Sequence, residues 1–312
     1  MGVINVKNIT KRFGNKIVLD NISFEVEEGD IFGFIGPNGA GKSTLINIMT
    51  SILVPDSGTI EICGNDILNN KIEAKKNIGY VPQDIALLEE ISTYSNLEFF
   101  GTLYGLNRSL LRERIEEALD ITGLSEKRKE KVKKFSGGMK RRLNLAVAIM
   151  HHPKVLILDE PTVGVDPQSR SHIFNFIKRI GKEWGTTVIY TSHYMEEIEE
   201  LCDRVFIIDL GKEVAYGRKN EVKSAVFPKN KVIIEASQFT GKIIIELKEV
   251  NGIVNINDSK RNEIVLTIND EFKLGNVLDI LEKEKVIVKK ISYEEHKLED
   301  VFLTLTGKNL RD

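Results

Sequence analysis

The segment Gly36-Pro37-Asn38-Gly39-Ala40-Gly41-Lys42-Ser43 constrains the chain around it more than any other. Its spacing is G-x-x-x-x-G-K-S, it follows the apolar run Ile31–Ile35, and it opens a helical segment, Ser43–Ile52. Such a loop works by closing backbone N–H groups around an anion, and a Cβ at its glycines would obstruct that approach. The helix beginning at Ser43 aims its positive end at the same anion. Lys42 adds a point charge for β- and γ-phosphates, and the Ser43 hydroxyl is a ligand for Mg²⁺. Strand, glycine loop and helix in this order predict an α/β fold built as a P-loop nucleotide-binding core.

A second motif fits the first. Val155–Leu158 is a short, wholly apolar run ending in Asp159-Glu160. A run of that kind reads as a buried central strand, and the carboxyl end of such a strand is where an α/β sheet places its ligands. Beside a phosphate loop the two acids divide their work: Asp159 holds Mg²⁺ through water, and Glu160 polarises an attacking water. Helical periodicity over 107–120 gives an apolar face of Leu110, Leu111, Ile115, Ala118 and Leu119. Helices are also expected over 139–151 and 168–182, and strands over Thr59–Ile62, Thr187–Tyr190 and Val205–Ile208.

Composition narrows the partners. The 312 residues carry 44 Lys and Arg against 46 Asp and Glu, so the net charge is −2 and no nucleic acid is expected as a partner. Lys127–Lys134 is locally basic; it reads as a solvated face, with a nucleic-acid patch as the other reading. No apolar run approaches the roughly 20 residues of a membrane helix. The amino terminus has no apolar core of a secretory signal, so a cytosolic chain is expected. Two cysteines, Cys63 and Cys202, make neither a four-ligand zinc site nor a disulfide framework.

The rhythm changes at Phe227-Pro228-Lys229-Asn230, which predicts a boundary between residues 1–227 and a small α+β domain over 228–312. Four β-type runs follow it: Val232–Ala236, Ile243–Leu247, Ile253–Ile256 and Ile264–Ile268. A helix near 272–284, a strand over Val286–Ile291 and a helix over Leu298–Thr306 complete the reading. The tail contains no phosphate loop, metal spacing or acid–base pair.

Between the two motifs stands Phe135-Ser136-Gly137-Gly138-Met139. With Gln83, Pro161–Asp166 and His193, it resembles the ATP-binding subunit of an ABC transporter. The resemblance covers about residues 3–220, with its motifs in the family's order. It implies that Phe13 stacks on adenine and that the loop, with Thr44, binds the phosphates of ATP. It gives Gln83 a place beside Mg²⁺ and the γ-phosphate, with Glu160, His193 and Lys42 as catalytic residues and Ser43, Gln83 and Asp159 around the metal. Ser136, Gly137 and Gly138 resemble the signature that contacts a nucleotide bound by the opposite subunit, and Asp166 the loop residue linking the two sites. One chain has one phosphate loop and one signature, so the implied unit is two copies closing on two MgATP. Residues of about 84–150 would form the helical subdomain, where Ala86, Leu87, Leu88, Leu97, Phe99 and Phe100 make either a docking face or ordinary core. The signature departs from L-S-G-G-Q at Phe135 and Met139, while its Ser-Gly-Gly centre is intact.

The stretch from Gly137 to Arg170 is similar to exporter ATPases whose membrane permease is a separate chain, and the carboxyl-terminal tail, with Leu298–Leu303, resembles the extra domain often carried by that branch. The resemblance thus implies a peripheral protein held by a permease at the cytoplasmic face of the membrane. The competing reading is a soluble ABC-type ATPase acting on translation, chromosome or repair machinery without a membrane partner. A single core per chain, a short stretch from loop to signature and the scarcity of cysteine stand against it. A protein that binds ATP without turnover would lack Glu160 or His193, and both are present.

Overall fold

A computed structural model describes residues 2–227, 230–260, 262–269, 271–294 and 296–307. The chain divides into two compact units, Met1–Lys219 and Asn220–Gly307. This division lies upstream of the expected one at 227/228, because the helix that starts at Lys219 counts almost wholly with the second unit. Pro228 and Lys229, which suggested the break, lie outside the described residues.

The first unit opens with the hairpin β1 (Ile4–Phe13) and β2 (Lys16–Val26), followed by β3 (Ile31–Ile35) and α1 (Lys42–Met49). Next come β4 (Ser57–Ile62), β5 (Asn65–Asp66), α2 (Lys71–Lys76) and β6 (Ile78–Val81). A helical stretch holds α3 (Thr93–Leu103), α4 (Arg108–Ile121) and α5 (Gly137–Ala148). The unit closes with β7 (Val155–Asp159), α6 (Pro167–Trp184), β8 (Thr187–Ser192), α7 (Met195–Leu201), β9 (Arg204–Asp209) and β10 (Lys212–Arg218).

Its main sheet has the order β10-β9-β3-β8-β7-β6, parallel throughout except where β10 pairs antiparallel with β9. Every residue of β7 and β8 is buried, as expected of strands covered on both faces. The parallel order matters for function. It sets the carboxyl ends of β3, β8, β7 and β6 side by side, so the glycine loop, His193, Asp159-Glu160 and Gln83 all emerge at one edge. A second, antiparallel sheet, β2-β1-β4-β5, shares a core with the first. Phe24 from β2 sits 5.6 Å from the Phe32 ring and 4.8 Å from the Phe206 ring, joining the two sheets.

In the helical stretch the Asn107 side chain caps α4 by accepting the Leu110 N–H at 3.0 Å. Leu111, Ile115, Ala118 and Leu119 are buried as the periodicity predicts, while Leu110 is only half-buried. The two readings of the apolar run after Gln83 divide between residues: Leu97 is core, whereas Leu88 and Phe99 are exposed. In the basic run Lys127, Arg128 and Lys133 pair with Glu130, Glu116 and Glu90, and Val132 is buried.

His151 joins the helical stretch to the sheet. Its Nε2–H donates to the Ile78 carbonyl at 3.0 Å, and its ring stacks 3.9 Å from that of Tyr104. Burial pushes the imidazole pKa down to about 4. An unfolded histidine titrates near 6.5, so between these values the unfolded chain binds the extra proton. The stability this group contributes is therefore complete above about 6.5 and drains away as pH falls through that window. Lowering the pH from about 7.5 to about 5 is expected to remove on the order of 2 kcal/mol, read as a lower urea midpoint. His151→Phe, which keeps the ring but not the titration, should show a smaller fall; equal falls would contradict this account.

The second unit takes in α8 (Lys219–Val226) from its second residue, Asn220, and then runs β11 (Asn230–Ala236), α9 (Gly241–Lys248), β12 (Ile253–Lys260), β13 (Glu263–Ile268), α10 (Leu274–Lys283), β14 (Val288–Glu294) and α11 (Leu298–Thr306). From β11 to β14 this is a β-α-β-β-α-β unit in the antiparallel order β12-β13-β11-β14, the split βαβ arrangement. The expected strand Ile243–Leu247 is a helix instead. Thr240 accepts the Ile243 N–H at 3.4 Å as its cap, and Ile243 and Leu247 are buried one turn apart while Ile245 is 66% exposed. Three isoleucines favour a strand, but packing against the sheet favours the 3.6-residue period.

Candidate active site

The glycine loop leaves β3 and enters α1 as the spacing requires. Gly41 has φ +112°, and a Cβ there would lie 2.8 Å from the Val18 carbonyl oxygen. At Gly36 a Cβ would stand 2.4 Å from the Ile208 carbonyl oxygen. Neither position admits another residue without moving a strand. Lys42 is buried, and its ammonium donates to the loop's own Gly36 and Pro37 carbonyls at 2.6 and 3.1 Å. Burial lowers its pKa, opposed by Glu160 and Asp159.

A cleft of about 350 Å³ opens beside this loop. It is lined by Phe13, Lys16 and Val18 from the first hairpin, by Asn38, Gly39, Gly41, Lys42, Ser43 and Thr44, and by Gln83 and Glu160. Phe13 is 50% exposed, with the Lys11 ammonium 5.6 Å from its ring centre. A half-bare aromatic ring beside a phosphate-type loop suits the flat base of a nucleotide.

Asp159 ends β7 and Glu160 follows it. Asp159 is 6% exposed, and burial raises its carboxyl pKa against the opposing hydrogen bond from Thr191. The Thr191 hydroxyl donates to Asp159 Oδ1 at 2.9 Å and accepts the Glu160 N–H at the same distance. Glu160 has φ +48°, a left-handed conformation that costs a non-glycine residue on the order of 1 kcal/mol or more. That turn brings its carboxylate to two partners. Gln83 Nε2 donates to Oε2 at 3.2 Å, and His193 Nδ1 lies 3.4 Å from Oε1.

Ser136, Gly137, Gly138 and Asp166 do not line this cleft. Ser136 caps α5 by accepting the Met139 N–H at 3.2 Å, and Asp166 caps α6 by accepting the Ser169 N–H at 2.9 Å. The backbone and hydroxyl of Ser169 hold the Asp166 carboxyl below the usual range. A Cβ on Gly138 would meet Ser169 Oγ at 2.1 Å, whereas Gly137 faces open space. The signature thus presents an exposed helix start away from the chain's own cleft.

Among the described residues no group of three or more His, Cys, Asp or Glu is placed to hold a metal alone. The Ser43 hydroxyl, the Asp159 carboxylate and the Gln83 side-chain oxygen are hard donors, the set that suits Mg²⁺ shared with phosphate oxygens and water.

Residues 19–163 match the family described as ABC transporter. The chain is 40% identical over 315 residues to the linearmycin resistance ATP-binding protein LnrL of Bacillus subtilis, across 99% of this chain and 100% of that protein. The chain belongs to the ABC transporter ATP-binding proteins. It is 34% identical to the daunorubicin resistance ATP-binding protein DrrA3 of Streptomyces coeruleorubidus, over 99% of this chain and 97% of that one. Among solved structures, CbiO1 of Clostridium perfringens, part of an ABC transporter complex, is 30% identical with a TM-score of 0.66, covering 73% of this chain and 94% of its own. The ABC ATP-binding subunits are ATPases, and so is this chain.

Several residues around this cleft are not singled out by the sequence. Thr191 orients both acids because β8 lies beside β7 with Thr191 opposite Asp159. Arg141 on α5 is buried and donates to the Pro82 and Gln83 carbonyls at 3.0 and 2.7 Å, holding the turn that carries Gln83. Lys16 and Val18 line the cleft from a strand whose alternation is too irregular to read.

Proposed function

We propose that this chain hydrolyses MgATP in the cleft beside the glycine loop, and that two copies close on two nucleotides to drive a separate membrane permease outward. The observation that carries the reading is the Glu160 carboxylate, held between Gln83 and His193 at a cleft lined by Lys42 and the loop. Phe13 stacks on adenine, and the loop N–H groups with Lys42 bind the phosphates. Ser43, Asp159 and Gln83 would hold Mg²⁺, which would supply charge neutralisation to the phosphates of the nucleotide. Glu160 accepts a proton from water as its oxygen attacks the γ-phosphorus, and the bond to the β–γ bridging oxygen breaks to leave ADP. His193 orients Glu160 and the γ-phosphate. Ser136 and the Gly137 and Gly138 N–H groups complete the partner copy's site, and Asp166 links the two.

Export is supported by relatives named for resistance to linearmycin and daunorubicin and for Nod factor export. No helix among the described residues is long and apolar enough to cross a membrane, which fits attachment through a permease. The second unit contributes contact area rather than chemistry, since the residues assigned to catalysis all belong to the first.

Turnover should require added Mg²⁺ and stop in excess chelator. Ser43→Ala is expected to raise the Mg²⁺ concentration for half-maximal turnover about tenfold or more, with ATP binding in chelator unchanged. Hydrolysis at the parent rate without Mg²⁺ would overturn the metal assignment.

A further inference from the structure

Glu197, on α7, is a buried carboxylate that the mechanism does not yet use. It is 2% exposed, and three hydroxyls donate to the same oxygen, Oε2. Thr162, Tyr190 and Ser192 each do so at 2.8 Å, and all three are themselves buried. The other oxygen has the Arg170 guanidinium at 3.4 Å. A buried ion is weak evidence for stability, because well-packed apolar side chains usually serve that end as well. What a carboxylate adds is direction.

The three donors lie on the segments that carry the site. Thr162 follows Glu160 by two residues, and Ser192 immediately precedes His193. Ser192 Oγ also accepts the Tyr194 N–H at 2.9 Å, so the turn around His193 is pinned on both sides by one hydroxyl. Arg170 lies on α6, which Asp166 caps, and its guanidinium sits 5.8 Å from the Tyr194 ring centre. The connections form a closed ring: Glu160 to Thr162 along the chain, Thr162 to Glu197, Glu197 to Ser192, Ser192 to His193, and His193 back to Glu160.

We infer that Glu197 is a positioning residue for hydrolysis, whose carboxylate ties the 160–162 segment to the turn carrying His193 and so fixes His193 against Glu160. The inference rests on the roles proposed above for Glu160 and His193. It predicts a loss in kcat without a loss of nucleotide affinity, because Glu197 and its donors stay outside the cleft that holds ATP.

Glu197→Gln keeps the volume but places an amide N–H₂ among groups that can only donate or must reorient. It is expected to lower kcat between about tenfold and about a hundredfold, the scale of a misplaced catalytic group, with ATP Kd and KM unchanged. The deciding step repeats the substitution in a His193→Ala background, where it should cost nothing further, because there is no His193 left to position. Ser192→Ala, a smaller change, should behave alike, and carries the test if Glu197→Gln fails to fold. Two results overturn the inference: parent-level kcat in folded Glu197→Gln and Ser192→Ala, or the same fractional loss with and without His193. If His193→Ala alone turns over like its parent, the assignment of His193 falls, and this inference falls with it. If His193→Ala is impaired while Glu197→Gln is not, only the inference fails.

Discussion

Glu160→Gln is expected to bind MgATP and to hydrolyse it about 10²-fold or more slowly, the usual cost of losing a general base. The substitution conserves shape. The amide oxygen can still accept from Gln83 Nε2, which lies 3.2 Å from Oε2, and the Glu160 N–H can keep its bond to Thr191. The left-handed turn at Glu160 belongs to the backbone and survives the change. What disappears is the capacity to take a proton from water. The variant should therefore accumulate with ATP unhydrolysed, as a dimer visible on size-exclusion chromatography in the presence of nucleotide. Turnover at the parent rate would remove Glu160 from the role assigned to it.

Ser136→Arg should abolish hydrolysis by a different route. Ser136 is exposed at the start of α5, and its hydroxyl caps that helix through the Met139 N–H. Losing the cap costs about 1 kcal/mol, too little to unfold a domain of this size. The residue does not line the chain's own cleft, so a single chain should bind ATP nearly as before. The bulk and charge of arginine fall instead where a second copy must approach. The expected result is normal ATP binding by isothermal titration, no ATP-dependent dimer and no turnover. Lys42→Ala makes the contrast: it deletes a buried charge beside the loop and should weaken binding itself.

The phosphate loop was legible because its constraint is local. Gly36 and Gly41 are required by the close approach of Ile208 and Val18 backbone, and that demand is written into the spacing itself. Asp159 and Glu160 were legible for a related reason, since a wholly apolar run ending in two acids has few homes other than the carboxyl end of a buried strand. The first hairpin was not. Its pairing is interrupted by register shifts between Val6 and Ile9 and again at Lys11, which scramble the period-two pattern. Thr191, Arg141 and Glu197 were beyond reach for a third reason. Each acts across a contact set by the order of strands, with Thr191 opposite Asp159 and Arg141 reaching the turn after β6. In the tail, Ile243–Leu247 misled because its β-branched residues outweigh a single threonine cap, and only the sheet beneath chooses the helical period.

The central claim is that each active site is built from two chains, and mixing two inactive variants tests it most directly. Ser136→Arg keeps an intact phosphate loop, and Lys42→Ala keeps an intact signature. A dimer of one with the other holds one complete site and one doubly broken site. An equal mixture should recover ATP turnover to at most about half of the parent's per chain, one complete site per mixed dimer in place of two, while neither variant alone shows any. Full turnover by Ser136→Arg alone would mean that one chain carries the whole site, and would contradict the account.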